Sequence, residues 1–251
     1  MTKTNIFKME LYRNLNDRAY IIVISVLTGL FTLATALGVP LLKGAGGHEI
    51  QPLLYFEIPF LVALFIAFWA FAIIYPWHLL STDYNNKVLS LVIASGVKRS
   101  NYYFIKIIAT ILTNMMAYFV IGILPVVILA GFFNAEFVSF VQTFIKGFTM
   151  AEGWIILLSL IFSSISSIVI FYFVVIFTKG KFWGIFVYFG ISLGLGVVVS
   201  TINYSMAFVG TQTMSDSTPF FGSSWFDIAV SIAKIIVFVF VGYRTLNRQD
   251  L

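Results

Sequence analysis

The stretch Ser81–Lys106, "STDYNNKVLSLVIASGVKRSNYYFIK", interrupts a chain that is otherwise almost continuously apolar. Its apolar centre, "LSLVIASGV", would rise about 14 Å as a helix, roughly half the ~30 Å hydrocarbon thickness of a bilayer. This segment therefore cannot cross a membrane. The long apolar runs on either side of it must be separate spans joined on one face.

Composition supports that reading. Of 251 residues, 60% are hydrophobic, 18% aromatic and only 10% charged, whereas soluble domains are about a quarter charged, so a water-soluble fold is excluded. The net charge of +5 finds no basic face to offer a duplex, so the expected partner is lipid and not nucleic acid. With no cysteine there is neither a disulfide framework nor a thiolate metal site. The first apolar run, "YIIVISVLTGLFTLATALGVP", exceeds the length of a signal-peptide core and is expected to stay as a span.

Applying the length a span needs gives six candidates: Tyr20–Pro40, Ile58–Trp77, Ile107–Phe133, Trp154–Phe177, Phe182–Ile202 and Trp225–Tyr243. The runs are continuous and lack the dyad alternation of barrel strands, so the expected fold is all-α, one membrane domain over residues 1–251. Cations resist translocation and set the orientation. With the N-terminus cytoplasmic, Lys3, Lys8, Arg13, Arg18, Lys87, Lys98, Arg99, Lys106, Lys179, Lys181, Arg244 and Arg248 are inside, and only Lys43 and Lys146 are outside. Both termini and Ser81–Lys106 are therefore expected in the cytoplasm of a plasma-membrane protein. "TKGK" between spans four and five makes those two antiparallel neighbours.

Two flanking helices follow from spacing. In residues 2–19, Phe7, Leu11 and Leu15 recur every fourth residue beside Lys8, Arg13 and Arg18, as in an amphipathic helix lying at the inner interface. Phe137, Phe140, Val141, Phe144 and Phe148 suggest a second surface helix on the outer face. In the opening stretch, Ser81 and Thr82 are N-cap candidates, Asp83 suits a helix N-terminus, and Gly96 can end the helix, predicting a helix over about 83–95. Tyr84, Val88, Leu91, Val92 and Ser95 share one face, widened by Leu89 and Ile93, while Asn85, Asn86 and Lys87 are polar. That apolar face can be buried in the headgroup region or in a groove on a cytoplasmic partner.

The pattern D-Y-x-x-x-V-L-S-L-V-x-A-S-G-V-K-R-x-x-Y-Y-x-x-K, from Asp83 to Lys106 and after a span ending in Tyr75, Pro76 and Trp77, resembles the first cytoplasmic loop of type-2 ABC exporter permeases. In that family the loop carries a coupling helix that docks on the ATPase subunit. The N-terminal helix resembling their elbow, the six spans and the basic tail "RTLNRQDL" agree. In size and Phe- and Ile-rich texture the chain is similar to small permeases of Gram-positive peptide exporters, such as those for staphylococcal phenol-soluble modulins. The resemblance implies a permease whose coupling residues are Asp83, Tyr84, Lys87, Val88, Leu89, Leu91, Val92, Gly96 and Arg99. It also implies two ATPase subunits and a second permease subunit, identical or related. No G-x-x-x-x-G-K-[ST] loop occurs in the chain, so ATP and magnesium are expected on the partner ATPase, with no cofactor here.

Within the spans, Lys234 interrupts "WFDIAVSIAKIIVFVFVGY". An intramembrane cation defaults to a functional hypothesis with a named partner. Asp227 lies on nearly the same helix face about 10 Å away, and Glu57 or Glu152 can bridge. Structural pairing and a substrate-path role both stand. Gly190 and Gly194 have the small-xxx-small spacing of close helix packing, either within the subunit or, by the resemblance, near the partner permease. Pro125 is expected to kink span three.

Catalysis has little support, since His48 and His78 are the only histidines and neither H-E-x-x-H nor G-x-S-x-G occurs; no catalytic or metal-binding residue is assigned. A non-transporting immunity or sensor partner of an ATPase remains the main rival. The 28 Phe, 12 Tyr and 5 Trp favour an amphipathic or lipid-like cargo.

Overall fold

The computed structural model describes residues 3–43, 51–86, 88–94, 96–132, 146, 151–213 and 224–249. These residues form helices α1 (Lys3–Leu15), α2 (Arg18–Lys43), α3 (Gln51–Asn85), α4 (Val88–Ala94), α5 (Arg99–Phe132), α6 (Ala151–Thr178), α7 (Gly184–Thr213) and α8 (Ser224–Arg248), with no strand among them. Five of the helices are long and apolar enough to cross a membrane, or six if α1 and α2, bent by 53° at their junction, count as one span. His48 and the phenylalanines of the expected outer surface helix lie outside the described residues.

The helices overrun the expected spans. Span two was expected to end at Trp77, but α3 continues to Asn85. This corrects the reading of Ser81, Thr82 and Asp83 as the start of a separate helix. Ser81 Oγ and Thr82 Oγ1 donate to the His78 carbonyl at 3.3 and 2.6 Å, and the Asn86 amide donates to Thr82 O at 2.9 Å. Their hydroxyls bond back along α3 instead of capping a new helix, a choice that hydropathy does not decide. The short helix begins at Val88 and is seven residues long. Pro125 lies inside α5, which stays helical to Phe132.

The chain divides into two compact units, Met1–Pro76 with Ile108–Phe144, and Trp77–Ile107 with Ile145–Leu251. In the first, the turn between α1 and α2 is set by Asp17, whose carboxylate accepts from the Ala19 amide at 3.1 Å as an N-cap. The face that α1 buries is Ile6, Glu10 and Asn14, while Phe7, Leu11 and Leu15 are half-exposed. Asn14 Nδ2 donates to Thr113 Oγ1 at 3.5 Å, Tyr20 to Thr113 O at 2.9 Å, and Tyr75 to Asn14 O at 3.1 Å. A polar stripe therefore attaches α1 to its unit and leaves the apolar stripe turned outward. Where no water competes, such bonds are a principal means of holding helices together. Around them Phe71 stacks on Tyr75, which meets Tyr20 at a tilt, and Phe31 meets Phe65 and Phe68 edge to face, with Tyr118 tilted against Phe68.

In the second unit α6 and α8 pack most extensively and α7 lies against α6. Tyr103 of α5 is fully buried, donates to Val239 O at 2.9 Å, and fills the space left by Gly242, where a Cβ would come within 2.6 Å of its hydroxyl. α6 ends in a Schellman turn, with Gly180 N bonded to Val175 O at 2.9 Å and Lys179 N to Ile176 O at 3.2 Å. Lys179 and Gly180 both have positive φ, 53° and 73°. Gly180 packs under α3, so that a Cβ would sit 2.9 Å from Tyr84 Cβ and 3.2 Å from Ser81 O. Gly180→Ala is therefore expected to destabilise by about 2 kcal/mol, from the left-handed backbone and the clash together. Gly190→Ala, whose added methyl meets nothing within 4 Å, should leave the thermal midpoint in detergent unchanged or slightly raised.

Candidate functional site

The loop that the sequence singled out is anchored by a buried ion pair. Asp83, in the last turn of α3, receives the Lys106 ammonium at 2.7 Å on Oδ2, and the Tyr102 hydroxyl donates to the same oxygen. Lys106 and Asp83 are both almost wholly buried, and Tyr102 precedes Lys106 by one turn of α5. Two donors spaced one turn apart thus clamp one carboxylate, tying the end of α3 to the beginning of α5. Leu80, Val175, Ile176 and Leu246 wall the space around the pair. In such surroundings neither charge can be left alone without a large desolvation cost.

A second set of bonds surrounds this clamp. Arg99, the first residue of α5, donates to Gln249 O at 2.8 Å, at the end of α8. Gln249 Nε2 in turn donates to Ile176 O at 2.7 Å, in the last turn of α6. Tyr84 reaches Gln249 Oε1 at 3.4 Å. Carbonyls at helix C-termini have no partner within the helix, and here a guanidinium and a primary amide satisfy them across elements. The ends of α3, α5, α6 and α8 become one hydrogen-bonded base.

α4 lies in the chain between the α3 and α5 ends of that base. Gly96, with φ of 86°, ends it, its amide bonded to Ile93 O at 3.0 Å, and Val97 is buried beyond. Val88, Val92 and Ile93 are half-buried, while Leu91 is 68% exposed. Leu91 is thus an exposed apolar side chain on a short helix between two helix ends that are bonded to one another.

The chain matches no family model, no curated protein and no solved structure.

Of the expected coupling residues, Val88, Leu89, Leu91 and Val92 lie on α4, Leu89 with a side chain outside the described set, and Lys87 is outside it altogether. Gly96 and Arg99 follow the helix directly. Asp83 and Tyr84 are placed differently from the expectation: both belong to α3, and Asp83 is buried against Lys106 and so presents no surface to a partner. Sequence reasoning missed Tyr102, Lys106 and Gln249. One signal was present, since Asp83 is the only carboxylate between Glu57 and Glu136 and Lys106 sits inside an apolar run.

The other candidates are dispersed. Lys234 is half-buried in the middle of α8, with exposed Asp227 two turns away in the first turn of the helix, where its charge suits the dipole. Glu57 lies in α3 and Glu152 in the first turn of α6, with side chains outside the described set. Gly190 and Gly194 are exposed on α7, and a Cβ at either meets nothing within 4 Å. Close packing of these two glycines within the chain is therefore not found among the described residues. Nor is any group of three or more His, Asp or Glu placed there to hold a metal ion.

Breaking the clamp has a stated cost. Asp83→Asn or Lys106→Met alone should lose about 3 to 5 kcal/mol, seen as a lowered thermal midpoint in detergent. The triple change Asp83→Leu, Tyr102→Phe, Lys106→Met, which removes every member together, should recover most of that loss.

Proposed function

We propose that this chain is the transmembrane permease subunit of an ATP-driven exporter of the type-2 ABC kind, residing in the plasma membrane with both termini cytoplasmic and moving amphipathic peptides or lipid-like molecules outward. The observation that carries the reading is α4: a short helix with exposed Leu91, standing on a base in which the ends of four helices are bonded together. A partner that seats Leu91 in a groove gains an apolar anchor at little entropic cost, because the helix is already formed and held.

Such an arrangement suits transmission of movement. A force on α4 enters α5 through Gly96 to Arg99, and passes to α8 and α6 through Arg99 and Gln249. A floppy loop would absorb the same displacement. ATP and magnesium belong to a separate ATPase, two copies of which would serve two permease subunits, identical or related. The exposed Gly190 and Gly194 of α7 suit the permease–permease contact. Lys234 serves as a contact for the cargo's anionic groups.

Leu91→Glu tests the reading. With normal abundance in the membrane, this variant should copurify at least tenfold less ATPase and lose export in proportion. Wild-type capture and export by Leu91→Glu would remove α4 as the docking element. Lys234→Met should reduce export at least fivefold at unchanged abundance; undiminished export would take Lys234 out of the cargo path.

A further inference from the structure

We propose that the turn between α6 and α7, Lys179–Trp183, is a binding site for the headgroup of an acidic phospholipid. Both helices it joins are long and apolar enough to cross a membrane, so the turn lies where hydrocarbon gives way to headgroups, whichever face that is. Lys179 and Lys181 are exposed, Phe182 is 65% exposed and Trp183 48% exposed. Cations and aromatic rings side by side are the chemistry that engages phosphate and the upper acyl region together.

Three further features make this a formed site. Lys179 holds φ at 53°, a conformation that glycine or asparagine adopts at lower cost, so a lysine there keeps its charge against backbone preference. Gly180 is pinned beneath Ser81 and Tyr84, which fixes the backbone between the two lysines. Trp77 meets Phe182 edge to face at 5.7 Å, and its buried indole N–H finds no acceptor among the described residues. A buried donor without a partner is costly, and the oxygens of a phosphodiester or glycerol ester supply what it lacks. A lysine at C′ also complements the dipole of α6, but that alone explains neither Lys181 nor the exposed rings. The inference is independent of what docks on α4.

The test uses the full chain in detergent micelles, titrated with phosphatidylglycerol or phosphatidylcholine and followed by thermal unfolding and by native mass spectrometry. Phosphatidylglycerol should raise the unfolding temperature and stay bound, and phosphatidylcholine should do neither. In Lys179→Gly/Lys181→Gln the concentration for half the effect should rise on the order of 30-fold, about fivefold per lysine. Glycine at position 179 relieves the backbone, so the lipid-free protein should stay folded. Trp77→Phe, which keeps a ring at that position, should weaken the lipid effect while leaving the lipid-free midpoint unchanged or slightly raised, and Lys98→Gln should change nothing. The proposal is overturned if the double variant keeps the wild-type lipid dependence, if phosphatidylcholine serves equally well, or if soluble glycerol phosphate alone reproduces the stabilisation.

Discussion

Asp83 and Lys106 are opposite charges held at 2.7 Å in a place that water does not reach. Attraction between them is strong there, yet so is the cost of having taken both out of water, and the sum is favourable only with good geometry and with the remaining lone pairs engaged. Tyr102 supplies that engagement. The pair thus acts less as a source of net stability than as a device for uniqueness: any rearrangement separating α3 from α5 strands a charge. Much of the second unit follows. Once those two helix ends are fixed, Arg99 is positioned to cap α8, Gln249 to cap α6, and Gly180 to pass under Tyr84.

Polar contacts, most of them between uncharged groups, do similar work in the first unit. α1 could have docked by Phe7, Leu11 and Leu15, the stripe that would dominate in water. It docks by Ile6, Glu10 and Asn14 instead. A hydrocarbon environment reverses the usual preference, because apolar side chains gain nothing by leaving lipid, while Asn14 and the tyrosine hydroxyls gain by finding partners. Glu10, fully buried, is joined at 2.8 Å by Arg13 one turn along the same helix. The stripe that looks like an anchor in the sequence is left half-exposed.

The same asymmetry separates what was legible from what was not. Apolar runs long enough to span announce themselves, since each must satisfy its own backbone and cannot borrow from water. Helix ends are less plain: Ser81 and Thr82 are chemically fit both to cap a new helix and to bond back along an old one, and here both bond to His78 O while Asp83 is engaged by Lys106. The clamp and the bonds around it join positions 83, 99, 102, 106, 176 and 249, and no local period links those numbers. Tyr103 and Gly242 fit each other across a comparably long stretch of chain, and each alone reads as ordinary span composition. Local spacing revealed α4, whereas the base beneath it arises from pairings that one sequence does not display.

A stiff base matters more for α4 than the identity of its exposed residues. On its C-terminal side the helix passes through Gly96 into buried Val97 and then Arg99, whose guanidinium is bonded to the end of α8. Displacing α4 must therefore either break the Arg99–Gln249 bond or carry α8 along. Gln249 is bonded in turn to α6, so the cheaper course is to move the bonded ends together, leaving the strain to be taken up where fewer bonds exist. α7 is such a place. It is largely exposed, and among the described residues its main packing is along α6. In the proposed exporter, motion imposed at α4 would then appear as displacement of α6 and α8 relative to α7, which makes the sparsely packed α7 the element most free to open a path.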